Sequence, residues 1–252
     1  MNRTTRGLAG LLGFFLLWEA AVRSALVRRE FLPPPSVVLG RMAELLGQEP
    51  FLRDVIATLL AWAIALAIVI AVGVPAGLVL GSVPGLRTAT RAIVEFLRPI
   101  PSVALIPLVM VLVGSGPDAK ITLAVYAAIW PILYNTIYAL GEIDPLLVET
   151  ARSSGTPKAR MLSSVALPNA APFIFTGIRL SAMIALILVV SVEFQAGTEL
   201  GIGRFILEAR GGPGRMDLVL AGTVVAGLIG YLINDGLERL GRRLFRWNEV
   251  AG

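Results

Sequence analysis

From Val55 to Leu80 the chain runs for 26 residues in which Thr58 and Trp62 are the only side chains carrying a polar atom. About 20 apolar residues suffice for a helix to cross the hydrocarbon core of a bilayer. Inside that core each backbone N–H and C=O must be bonded within the protein, which a helix does by itself. This stretch commits the chain to a membrane, and the rest of the composition agrees. Apolar residues make up 56% and charged residues 15%, with a mean hydropathy of +0.79, against about 45–50% and 25% in soluble domains. A length of 252 residues accommodates roughly five to seven spans. The expectation is an all-α integral membrane protein, one domain over residues 1–252 with its core over 55–240.

Five further runs bring the expected count to six spans. The first, Leu8 to Trp18, follows two arginines, the pattern of a secretory signal as well as of a span. It continues past Glu19 and Arg23, four apart on one helical face and able to pair, and is read as a retained span. "LPPPSVVL" then opens a short amphipathic stretch at the interface, with Ser36 as its N-cap. A third span is placed over Ala92–Val113, interrupted or kinked by Pro99, Pro101 and Pro107, and a fourth over Ile121–Leu140, kinked at Pro131 and carrying Asn135. Spans five and six are Ala171–Gln195 and Leu218–Asp235, with a short helix near Ile202–Ala209 between them. Gly73, Gly77 and Gly81, and again Gly222, Ala226 and Gly230, recur every four residues and make smooth stripes for close helix approach. Six spans put both termini on one side. With that side inside, the flanks hold 12 Lys and Arg within and nine outside, Arg179 lying in a span. The positive-inside rule favours cytoplasmic termini.

Several chemistries are closed to this sequence. It has no cysteine and no histidine, which removes thiolate and His-ligated metal sites and a Ser-His pair. "GSGPDAK" and "GTPKAR" lack the spacing of a phosphate-cradling loop. The formal charge of +5 comes from arginines scattered between apolar runs, without the basic block of a nucleic-acid binder. A passage, a receptor or a scaffold remains.

Between the fourth and fifth spans about thirty residues, 142–170, are spent on the cytoplasmic side, where a few would connect two helices. Asp144-Pro145 supplies an N-cap and a first-turn proline. Gly155 supplies a residue able to end the helix in the left-handed region, and Pro157 restarts the chain. The spacing predicts a helix-turn-helix projecting from the membrane; a long solvated loop is the alternative. For the path itself the candidates are Asn135, Pro99 and Pro101 as a gate, and Glu193. As the only acid in span five, Glu193 sits about 21 Å along the helix from Arg179, near the outer end. It either reaches water at the interface or lines the outer gate.

The run "EIDPLLVETARSSGTPKARMLSSVALPNAAPFIFTGIRLS" resembles the EAA loop of the permease subunits of binding-protein-dependent ABC importers. So do "LPPPSVVL", "EFLRPIPSVALIPL", "WPILYNTIYAL" and "RRLFRW" in order, which look like the nitrate, sulfonate and taurine group of that family. The resemblance implies a type I importer permease fold in a bacterial or archaeal cytoplasmic membrane, paired with a second permease copy. Two ATPase subunits, which bind ATP and Mg, would lie below, and a substrate-binding protein above; the chain itself is not expected to be an enzyme. It assigns the coupling helix to Glu149, Thr150, Ala151 and Gly155, with Leu167 and Pro168 closing the motif. Thr150 departs from the usual Ala, and Pro157 follows the Gly directly. The imported solute would be nitrate, a sulfonate, taurine or a similar small molecule. An ion-coupled transporter without an ATPase is the competing reading. It would want acids and bases at mid-membrane, and the apolar interiors of spans two, four and six contain none. A scaffold or receptor leaves the Pro and Gly breaks without purpose.

Overall fold

The computed structural model describes residues 3–212 and 214–246. Trp247, the last residue of the basic "RRLFRW" match, lies outside them, as do the side chains of Arg3 and Lys158 that were counted for orientation. Among the described residues eleven α-helices follow one another: α1 (Arg3–Arg23), α2 (Pro35–Leu46), α3 (Glu49–Ser82), α4 (Pro84–Leu97), α5 (Ile106–Val113), α6 (Pro117–Gly141), α7 (Pro145–Ser153), α8 (Lys158–Met161), α9 (Leu167–Ala196), α10 (Ile202–Arg210) and α11 (Met216–Leu244). Among the described residues α1, α3, α6, α9 and α11 are long and apolar enough to cross a membrane.

A sixth candidate is a broken helix pair, interrupted within Ala92–Val113 as its prolines lead one to expect. Helix α4 ends at Leu97, Arg98 to Pro101 turn the chain, a 3₁₀ turn covers Ser102–Leu105, and α5 leaves at 76° to α4. Pro99 and Pro101 stand in the turn itself. Neither can donate a backbone hydrogen bond, although Arg98, before Pro99, still has helical dihedrals of φ −57° and ψ −47°. The Leu97 carbonyl accepts the Ile100 N–H at 3.3 Å and also the Tyr126 hydroxyl of α6 at 2.8 Å.

Helices α3, α6 and α9 form the centre. Their contact is built from Ala61, Ala65 and Val69 on α3, Ala124, Ala128 and Ile132 on α6, and Ala185 and Val189 on α9. Side chains this small let helix backbones approach, which is the main source of association where lipid removes the hydrophobic drive. The first glycine stripe is part of this contact. A Cβ at Gly73, Gly77 or Gly81 would collide with Ile132, Thr136 or Leu140, one turn apart along α6. Gly222 and Gly230 of α11 lie against Phe205 and Ile206 of α10 and against Leu186 of α9.

At the periphery, α2 and α11 share a cluster of Val38, Leu45, Ala221 and Val225 with Phe51 of α3. The Glu19–Arg23 pair forms at 2.7 Å as expected. Ser36, however, is not an N-cap: Pro34 holds that position without a side-chain bond. Ser36 gives its hydroxyl and its N–H to the Glu19 carboxylate at 2.8 and 3.1 Å, and so ties α2 to α1.

Candidate coupling element and translocation path

The expected helix-turn-helix is present and its local chemistry is complete. Asp144 accepts the Leu146 N–H at 2.8 Å and Pro145 opens α7. At the other end Gly155 takes φ +69°, the Gly155 N–H bonds the Arg152 carbonyl and the Thr156 N–H bonds the Ala151 carbonyl, each at 3.0 Å. These are the two bonds of a Schellman C-cap, which needs a residue at ease in the left-handed region. Pro157 precedes α8, and a π-helical turn, Leu162–Ala166, leads into α9.

No residue of α7 is buried. Leu146 is 66% exposed, Leu147 44%, and Glu149 and Thr150 are exposed beside them, while Ala151 is half-buried. The Thr150 hydroxyl bonds back to the Leu146 carbonyl at 2.7 Å, so its extra polarity is satisfied within the helix. Leu167 and Pro168 belong to the first turn of α9 rather than to α7. Proline fits there because the N–H it lacks would have had no helical partner.

Of the path candidates, Asn135 and the Pro99–Pro101 turn come together and Glu193 does not join them. A cavity of about 520 Å³ lies between the α4–α5 break, α6 and α9, with Arg98, Ser102, Trp130, Tyr134, Asn135 and Leu180 in its wall. Arg98 lies over the ring of Tyr134 at 4.5 Å. Asn135 donates to the Pro131 carbonyl at 2.8 Å, and the Ser181 hydroxyl of α9 donates to the Ala128 carbonyl at 2.6 Å. Side chains thus occupy the carbonyl of Pro131 and one in the turn before it. Gly177 lets α9 press against it; a Cβ there would stand 2.9 Å from Asn135 Cβ.

Glu193 is fully buried, near the α9 end remote from α7, and reaches neither water nor this cavity. Its carboxylate takes the Lys120 ammonium at 2.7 Å, the Thr58 hydroxyl at 2.9 Å and the Gly203 N–H at 3.1 Å. The Asp54 carboxylate accepts the Gly201 N–H at 2.8 Å, and Thr58 Oγ1 accepts the Ile202 N–H at 3.0 Å. Three successive N–H groups at the start of α10 therefore find their acceptors on other helices. Gly201, at φ +147°, leaves room for the carboxylate where any Cβ would overlap it.

Lys120 and Asp54 escaped the sequence reading because hydropathy started spans four and two at Ile121 and Val55. The structure starts those helices at Pro117 and Glu49, so the statement that both spans lack ionisable groups is corrected. The Gly116-Pro117 junction, a proline at a helix start, was the available signal for Lys120.

Comparison with known proteins fits this geometry. Residues 70–246 match the family described as binding-protein-dependent transport system inner membrane component. The chain belongs to that family. The permease is 30% identical to a taurine transport system permease protein of Escherichia coli K12, over 98% of this chain and 91% of the relative. It is 35% identical to a riboflavin transport system permease protein of Chloroflexus aurantiacus, over 94% and 88%. Its fold is similar to the methionine ABC transporter MetNI in an inward-facing conformation, with a TM-score of 0.67 and 24% identity over 78% of this chain and 98% of that one. Family membership decides between the two transport readings of the sequence: this is the multi-pass inner-membrane permease subunit of an ABC importer, with the type I permease fold.

Proposed function

We propose that α7 is the surface through which ATP hydrolysis in a separate ATPase subunit moves this permease, with Glu149, Thr150, Ala151 and Gly155 forming the grip. Leu167 and Pro168 pass its motion into α9. The observation that carries this reading is a short capped helix with leucines and a glutamate facing outward, adjoining α6 at one end and linked to α9 through α8 and a π-helical turn at the other. Two leucines left in water are costly unless another surface covers them. Pushing on α7 moves α9, and α9 is packed against Pro131 and Asn135 of α6 beside the path.

In this reading two copies of the chain enclose the path, two ATPases bind ATP and Mg beneath them, and a binding protein delivers the solute from outside. Both termini and α7 face the cytoplasm. Asn135 lines the path, and the turn at Pro99 and Pro101 acts as its gate. Glu193 holds the outer end of the bundle together instead of meeting the solute. The named relatives carry taurine and riboflavin, which differ too much in charge and size to choose a solute for this chain.

The test is to assemble the permease in lipid with ABC ATPase subunits and a binding protein and to measure stimulated ATP hydrolysis. Glu149 makes no ion pair among the described residues, so Glu149→Lys should leave insertion unchanged. It should lower stimulated hydrolysis about tenfold, as expected for reversing a charge at an interface. Hydrolysis at the wild-type level would remove α7 from the coupling role.

A further inference from the structure

Two arginines of α4 and the one that follows its last residue face one side. Arg87, Arg91 and Arg98 are separated by four and seven residues, steps that return to nearly the same direction on a helix. A second cavity, of about 470 Å³, is lined by Arg87, Arg91, Thr88 and Glu95. It shares Tyr134 and Tyr138 as a wall with the cavity at Arg98. These rings stack with centroids 6.1 Å apart. The two cavities thus run together along α4 and α6, from the turn after α3 to the break at Pro99. Tyr134 stands seven residues, about 10 Å, before the α7 end of α6, so the groove occupies the half of the span nearest α7.

The groove has a definite charge. Its only carboxylate is Glu95, held by Arg91 at 2.7 Å. Three arginines less one glutamate leave a balance of +2. The wall around Arg98 contains no acid, and its polar side chains, Ser102, Asn135 and the two tyrosines, can all donate hydrogen bonds. Arg98 itself has no carboxylate partner among the described residues; its guanidinium lies on Tyr134. A ring under one guanidinium face leaves the N–H edge free, and that edge matches two oxygens of an oxyanion.

We propose that this groove is the inner vestibule of the path, that it takes a small oxyanion of the sulfonate or carboxylate type, and that Arg98 is the residue selecting for negative charge. The proposal rests on the reading of the chain as one half of a solute path and adds to it the class of solute. Stacking on Tyr134 fixes the cation at the break where the path narrows. Arg91 and Arg87 then continue the favourable field toward the α7 end, so that an anion leaving Arg98 is not pulled back.

The chain contains no cysteine, which allows a test free of transport. Ser102→Cys places one thiol in the wall beside Arg98. With the full chain in lipid nanodiscs, its reaction rates with sulfonatoethyl and trimethylammonioethyl methanethiosulfonate are measured. Each rate is divided by that of the same reagent with a free small thiol. With Arg98 present the anionic reagent should be favoured about tenfold, the lower end of what a charged cleft does to local ion concentration. Arg98→Gln should bring the ratio close to one, and Arg98→Lys should keep most of it. Without any further variant, the ratio should fall as salt is raised. Methanesulfonate should slow the reaction and uncharged dimethyl sulfone should not. A ratio near one with Arg98 in place would overturn the proposal, as would one unchanged in Arg98→Gln; Arg98 would then be a membrane-flanking charge only. No ATPase takes part, so a failure of the α7 coupling role leaves this result standing, and the reverse holds too.

Discussion

Lys120 and Glu193 are buried charges, and burying charge is expensive unless the pair is close and its remaining hydrogen-bond capacity is filled. Here it is filled: Lys120 also donates to the Leu200 carbonyl at 3.1 Å, and Glu193 also accepts from Thr58 and Gly203. Lys120→Met should therefore destabilise the permease by about 3–5 kcal/mol, because it strands the carboxylate in the bundle. Replacing both residues, Lys120→Met with Glu193→Met, should recover much of the loss. Thermal unfolding in lipid checks this, and a loss in the double variant equal to the sum of the two single-variant losses would show that the two charges are not coupled. Glu193 was visible in the sequence as an isolated acid, but its partner was not. Hydropathy drops a lysine from the edge of a span, and nothing in the sequence says that residue 120 meets residue 193.

Helix α7 and the α4–α5 break mark the range of what an element's own residues decide. The start and stop of α7 were readable because Asp144, Pro145 and Gly155 act on backbone groups within a few residues of themselves. At Gly155 no atom stands within 4 Å of an added Cβ, so space does not limit the side chain there and the φ of +69° does. Gly155→Val should cost about 1–3 kcal/mol of backbone strain, and Gly155→Asn less, since Asn enters the left-handed region more readily. Both should insert normally. Stimulated ATP hydrolysis should fall further for Val than for Asn, and a Val variant as active as wild type would separate the cap from coupling. The prolines of the third span announced a break, but not its angle. The 76° turn depends on what α6 offers to the freed groups, notably the Tyr126 hydroxyl on Leu97.

For the whole molecule the open quantity is direction across the membrane. The lysine and arginine count of 12 against nine is a small bias, so the topology needs a direct measurement. Ser154→Cys reports on the turn after α7, and Glu199→Cys reports on the exposed segment before α10. Ser36 is a poorer reporter because its hydroxyl binds Glu19. In intact cells an impermeant thiol reagent should label position 199 and spare 154. The opposite pattern would invert the orientation and, with it, the side on which an ATPase could reach α7.

The sequence by itself determined the solvent, the all-α architecture with its long apolar spans, the capped projection between spans four and five, and the glycine stripe of α3. All of these follow from interactions between near neighbours or from the length of apolar runs. Only the tertiary structure decided that Glu193 is an internal clamp, that Asn135 shares a cavity with Arg98, and that Arg87, Arg91 and Arg98 border one groove. Those facts depend on which helix faces which, and helix faces in a bilayer are matched by the fit of small side chains and by buried polar partners. Residues 58, 120, 193 and 203 meet only after four helices have packed.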